Sequence, residues 1–386
     1  MHVALITHRF ARGDGQGRVN YEIAAAALGA GHTVSLVASE IAPELAAHER
    51  ARAVRVAVRR WPSALLKNQV FALETTRWLA RHRDELDVVH VNGFVTWARA
   101  DLNTAHFVHA AWLASSHHTI RFRKDWYGLY QWLYTYAGSF LERAAYQRST
   151  AIVAVSRQVE RELLAGGVDA RRLRVIANGV DLEEFKPGPV SRRSLGLPEG
   201  PLLLFAGDVK TPRKNLETLL RAVARTELGT LLVAGDPSGS RYPRLAESLG
   251  IADRVKFLGY RRDVADLMRA SDLFVFPSRY EACSLVLLEA AASGVPVVAA
   301  RTAGGVELLN RDCSVLLDDP DDDVELARIL RGLLCEPARL ARMGAAARAA
   351  AAAHSWHAMG ERYLGAYAEL ATSRGRLAAA PTCEAS

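Results

Sequence analysis

A chain of 386 residues that is 50% hydrophobic and 24% charged is long enough for two ordinary domains and too well balanced to be disordered or fibrous. Its net charge of +7 suits phosphorylated ligands or an anionic membrane surface, but there is no dense basic tract or nucleic-acid motif, so no nucleic-acid partner is expected. No run of about 18 uncharged apolar residues occurs, and the opening MHVALITHRF lacks the parts of a secretory signal, so neither a transmembrane helix nor export is expected.

Taken in chain order, HVALIT (2–7) reads as a buried strand, followed by the glycine-rich RFARGDGQGR, the helix VNYEIAAAALGAG and a second strand HTVSLVAS. ELDVVHVNG, TAIVAVS and RRLRVIANGV continue the alternation of short apolar strands with helical spans, which predicts a parallel sheet flanked by helices. Pro, Gly and Ser then cluster in FKPGPVSRRSLGLPEG (185–200), a linker composition. Beyond it PLLLFAG, TLLVAGD, RVKFLGY, DLFVFPS and VPVVAA are strands again, with helices such as NLETLLRAVART between them. The Ala-rich 344–353 is a strong helix former, SWHAMGERYLGAYAELA is a last amphipathic helix, and the tail after Thr372 reads as frayed. The economical fold is α/β with two Rossmann-like domains in tandem, 1–185 and 186–356, and a final helix at about 357–372.

Residues 112–146 break the rhythm, combining many aromatics with Arg121, Arg123 and Lys124. They read either as a helix whose aromatic face packs on its own domain, or as an acceptor groove or anionic-membrane patch. The four cysteines, Cys283, Cys313, Cys335 and Cys383, have neither CxxC nor metal-ligand spacing, so reduced thiols in a cytoplasm are expected and no metal.

The densest chemistry lies in SRYEACSLVLLEAAASGVPVVAA (278–300), where Glu281 and Glu289 flank an apolar run. DLFVFPS ends a strand at Pro277, and Ser284 can cap a helix running to about Ser293. Glu281 then sits in the strand-to-helix loop, with Glu289 about 7 Å along the helix from its start. The backbone N–H groups of Ser284, Leu285 and Val286 lie between them, at a helix start that attracts anions. A phosphate there, with one hydroxylated group at Glu281 and a diol at Glu289, has the form of a nucleoside diphosphate sugar. Gly13, Gly15 and Gly17 do not make GxGxxG, and Gly15 reads as a place of close backbone approach to sugar or phosphate. Arg213 and Lys214 in TPRKN are cations suited to a leaving diphosphate.

The stretch 278–309, with its two glutamates, EAAASGVPVVAA and Gly304–Gly305, resembles the signature of the retaining family 4 glycosyltransferases (glycosyl transferases group 1). GDGQGRVNYEIAAAALGAGHTVSLV, TAIVAVSRQVERELLAGGV, RVIANGVDLEEFKP and RVKFLGYRRDVADLMRASDLFVFPS extend the resemblance along almost the whole chain. It implies a GT-B-type fold, two Rossmann-like domains facing across a cleft with the last helix crossing back. It also implies retaining transfer of a hexosyl unit from a nucleotide sugar, most simply UDP-linked, without metal or other cofactor. The acceptor would be a glycan, a lipid-linked molecule or a small molecule at the cytoplasmic face of a membrane, as in cell-envelope polysaccharide synthesis.

Carried over, the donor-sugar role falls on Glu281, the ribose on Glu289, and the diphosphate on Arg213, Lys214 and the Ser284–Val286 amides. The family's N-domain histidine falls on His109, with His106 as the alternative, while His117 and His118 read as polar surface. Two rivals remain: a nucleotide-sugar 2-epimerase of similar fold, and a catalytically inactive nucleotide-sugar-binding protein. One departure stands out. Many members have arginine after the glycine ending the first C-domain strand, and here that position holds Asp208, expected either to pair with Lys210 or to orient Arg213.

Overall fold

The computed structural model describes residues 1–375 other than 14, 123 and 374. Arg123, Cys383 and the end of the tail assigned as frayed therefore lie outside the described residues.

Two all-parallel sheets organise the chain. The first has seven strands in the spatial order Ala51–Arg55, Thr33–Ala38, His2–Ile6, Val88–Asn92, Ala100–Ala105, Ser149–Ala154 and Leu173–Val175. The second has six, in the order Val255–Gly259, Thr230–Ala234, Leu202–Ala206, Leu273–Phe276, Val297–Ala300 and Ser314–Leu317. Parallel strands covered on both faces need uninterrupted apolar runs, and LLLFA (202–206) and LFVF (273–276) supply them with every residue buried. Each sheet has its own core.

Two strands of these sheets escaped sequence analysis. Ala51–Arg55 is an edge strand with exposed Arg52 and Arg55, so it carries little apolar signal. Ser314–Leu317 is short and follows a turn in which Asn310 O accepts from the Ser314 amide and hydroxyl.

The final helix, Trp356–Ser373, leaves the second domain and packs on the first. Met359, Tyr363, Tyr367 and Leu370 join the core beneath the helix Gly15–Gly29, and the Tyr367 hydroxyl lies 2.7 Å from His90 Nδ1. The segment 112–146 is not one helix. It forms His109–Ala114, Thr119–Phe122 and Trp126–Gln147, the last capped by Asp125 Oδ1 accepting from the Gly128 amide at 2.9 Å. Nor does its aromatic face pack inward as a whole: Trp126 is 85% and Phe140 70% exposed.

The domains touch through named side chains. The Tyr280 hydroxyl donates to Glu162 at 2.9 Å, and its ring lies against Phe107 and Trp112. The Arg157 amide donates to Glu307 at 2.7 Å, and the Asn178 amide group to Cys283 O at 3.2 Å. These contacts close one side of a cleft between the C-terminal ends of the two sheets, where ligands of open parallel sheets bind.

Candidate active site

Glu281 is where the loop after strand Leu273–Phe276 meets the turn before the helix Leu216–Arg225. Ser278 Oγ donates to Glu281 Oε1 at 3.0 Å, and the Arg279 amide to Arg213 O at 2.9 Å, so the two loops are stitched together. Asn215 ends the 212–214 turn in a left-handed conformation (φ 59°) and is buried, with its side chain held by Pro320 O and Thr218. This geometry aims Lys214 and Arg213 at Glu281, at 2.7 Å and 3.7 Å. Burial alone would raise the Glu281 carboxyl, but the two cations and the hydrogen bonds from Lys214 and Ser278 outweigh it and hold its pKa below the ordinary value. The same burial lowers the Lys214 ammonium, against the pull of Glu281.

A glycine pair holds the loop in shape. The Gly304 amide donates to Glu281 O and the Ser284 amide donates to Gly304 O, at 3.0 and 2.9 Å. A Cβ on Gly304 would lie 2.1 Å from Ala282 O, so no larger residue fits without moving the loop. This crossing corrects one expectation: the Ser284 amide is occupied, and its side chain makes no capping bond to the helix Leu285–Ala292. The Leu285 and Val286 amides have no backbone acceptor among the described residues.

Around this centre lies a cavity of about 360 Å³ that brings together Gly15, Arg213, Lys214, Glu281, Ser284, Leu285 and Val286. Leu285 lies 3.8 Å from where a Gly15 Cβ would stand, so the glycine lets the two domains' helix starts approach. Both helices, Gly15–Gly29 and Leu285–Ala292, begin at the cavity, directing two positive dipole ends into it.

Two expected residues sit otherwise. Glu289 is on the same helix one turn beyond the cavity lining; burial pushes its carboxyl up to about 7, aided by nearby Glu184 and opposed by Arg18. No hydrogen bond or ion pair to its side chain occurs among the described residues. His109 lies in a neighbouring hollow, its Nδ1 2.7 Å from Glu142 and its ring against Gly138. It is His106 that lines the cavity with Glu281, with its Nε2 buried and unpartnered and its pKa lowered by burial to about 4. The two histidines follow the strand Ala100–Ala105 by one and by four residues, and the helix that starts at His109 turns that ring away.

Asp208 neither orients Arg213 nor meets the Lys210 side chain. Its carboxylate accepts from the Lys210 amide at 2.8 Å and the Thr211 hydroxyl at 3.0 Å, while Lys210 Nζ pairs with Asp236 at 2.6 Å. His118 is buried rather than surface, 3.2 Å from Thr135, and His117 lies 3.6 Å from Asp321. Sequence analysis did not single out Phe107, Gln16 or Asn178 as cavity residues, because only the fold brings them to Glu281.

Two family models cover most of the chain: glycosyltransferase family 4 over residues 13–184 and glycosyl transferases group 1 over residues 200–336. The chain belongs to the family 4 glycosyltransferases. Curated relatives include D-inositol 3-phosphate glycosyltransferases of Rhodococcus opacus, 39% identical over 219 residues, and of Xylanimonas cellulosilytica, 36% over 244. The matches span 52% and 58% of this chain and 49% and 58% of those proteins, so the chain spans about half the length of the curated relatives it matches. Among solved structures, a sucrose-phosphate synthase of Thermosynechococcus elongatus superposes with a TM-score of 0.78 at 24% identity, over 96% of this chain and 99% of that one. Anabaena HepE, in complex with UDP-glucose, superposes with a TM-score of 0.69 at 20% identity, over 97% and 100%. This family 4 chain has the GT-B fold of those structures.

Proposed function

We propose that this chain is a retaining, metal-independent glycosyltransferase that moves a hexosyl unit from a UDP-linked sugar to an acceptor. The observation that carries the proposal is Glu281, a buried carboxylate held against Lys214 and Arg213 where two helix starts converge. A carboxylate kept ionised in that position accepts hydrogen bonds from donor-sugar hydroxyls, while the cations and the Leu285 and Val286 amides face the diphosphate. Glu289, further along the helix, takes the ribose diol. His106 stands on the opposite wall, at the sugar. The UDP-glucose bound to HepE supports a nucleotide-sugar donor.

Charge develops on the leaving diphosphate as the glycosidic bond breaks, and fixed cations and dipoles stabilise it without a metal. The acceptor hydroxyl attacks from the face the diphosphate leaves, passing its proton to the departing phosphate oxygen, so the anomeric configuration is kept.

Among the described residues no helix is long and apolar enough to cross a membrane. The exposed Trp126, Tyr136 and Phe140, with exposed Arg121, Lys124 and Arg143 nearby in sequence, suit peripheral contact with an anionic cytoplasmic leaflet where a lipid-linked or glycan acceptor would be met. Incubation with UDP-glucose, UDP-galactose, UDP-N-acetylglucosamine and GDP-mannose, followed for slow hydrolysis, tests the reading. Consumption of a UDP-sugar supports it; consumption of none, or formation of a 2-epimer, refutes it.

A further inference from the structure

The hollow that holds His109 adjoins the donor cavity and shares Gln16, His106 and Phe107 with it. At about 170 Å³ it has room for one ring-sized polar group. Its chemistry differs sharply from its neighbour's. The donor cavity is lined by Arg213 and Lys214, whereas no lysine or arginine lines the hollow among the described residues.

What lines it instead is amides, hydroxyls, imidazoles and one carboxylate. Asn68 donates to the Tyr134 hydroxyl at 3.2 Å, leaving the phenol proton available. Asn92 is 8% exposed and its amide nitrogen is engaged by Asn20, but its Oδ1 has no partner. Glu142 is 7% exposed, accepts from the His109 amide at 2.9 Å and meets the His109 ring. Burial pushes His8 and His106 down to about 4, so neither carries a positive charge at neutral pH.

An unpartnered buried acceptor and a buried carboxylate call for hydrogen-bond donors. The hydroxyls of a polyol supply them; a phosphate dianion has none to offer, and it would meet Glu142 as a like charge in a region of low dielectric. A phosphate would also need the bidentate cations that such sites ordinarily use.

We infer that this hollow, on the transfer reading above, receives the acceptor, and that the acceptor group seated there is an uncharged polyol or sugar rather than a phosphate ester such as the inositol phosphate named for the curated relatives. Selection comes from the absence of a lysine or arginine among the described lining residues and the presence of Asn92 and Glu142.

The protein is first saturated with UDP, so that Arg213 and Lys214 are occupied. It is then titrated by saturation-transfer NMR with matched pairs: myo-inositol and inositol 3-phosphate, glucose and glucose 6-phosphate, mannose and mannose 6-phosphate. The neutral member of at least one pair is expected to bind at least tenfold more tightly than its phosphate. In Asn68→Arg, which places a cation on the hollow's wall, the phosphate member should gain tenfold or more. Equal or tighter binding of the phosphates to the natural protein overturns the inference, as does failure of every neutral member to bind. Acceptor-independent hydrolysis of the UDP-sugar is measured separately. Its absence would refute the transfer reading and leave the binding comparison intact, whereas hydrolysis with phosphate preference would refute only this inference.

Discussion

Glu289 makes the sharpest pH prediction. Its carboxyl titrates near 7 rather than at the ordinary 4.5, because burial and Glu184 outweigh Arg18. The free protein therefore holds that proton more tightly than the unfolded chain does, and Glu289 lowers stability progressively as pH rises from 4.5 to about 7. If Glu289 takes the ribose diol as proposed, binding reverses the preference, since a diol donates two hydrogen bonds to an ionised carboxylate and fewer to a protonated one. With a pKa near 7, about a tenth of the free protein is ionised at pH 6 and about nine-tenths at pH 8. If only the ionised form binds, UDP affinity should rise about tenfold across that interval, near 1.4 kcal/mol. UDP titrates as well, so calorimetric binding curves at pH 6, 7 and 8 are compared between the natural protein and Glu289→Gln. The variant should lose the excess slope and bind more weakly at pH 8 by about 1–3 kcal/mol. Identical slopes in the two proteins would refute the assignment of Glu289 to the ribose.

Glu281→Ala frees Lys214 for phosphate; UDP affinity should change by less than about threefold, while turnover falls about a hundredfold or more in steady-state kinetics. Lys214→Ala removes a preset cation and should lower kcat by about a hundred- to a thousandfold, the scale of about 2–4 kcal/mol of transition-state stabilisation. Gly304→Ala forces a Cβ onto the Ala282 carbonyl at 2.1 Å and should cost about 3 kcal/mol in chemical denaturation as well as activity. Trp126→Ser with Phe140→Ser should reduce co-sedimentation with vesicles containing acidic lipid while leaving hydrolysis of the UDP-sugar unchanged.

The sequence made the buried strands plain wherever apolar residues run without interruption, as in LLLFA and LFVF, and it marked the glutamate pair by spacing together with the family 4 resemblance. Ala100–Ala105 was only partly visible because it buries Asp101, Asn103 and Thr104, whose partners Arg83, Gly93 and Tyr363 lie outside the strand. The same limit applies at the site. That Lys214 neutralises Glu281 depends on a contact between residues 67 positions apart, set by the Arg279 amide gripping the Arg213 carbonyl. Between His106 and His109 no local signal decides, since both follow one strand; the choice is made by the helix that begins at His109 and by Glu142. Asp208 is legible as a missing cation, but its use as a turn cap needs the Lys210 amide and the Thr211 hydroxyl in place.

On the proposed function, a nucleotide sugar is cleaved with retention in the cavity around Glu281. Time-resolved ¹H NMR of UDP-hexose consumption, run on the natural protein and on Glu281→Ala, tests it most directly. The first sugar released by the natural protein is expected to carry the donor's own anomeric configuration, and release is expected to be nearly abolished in the variant. Release of the opposite anomer, or equal release by both proteins, would contradict it.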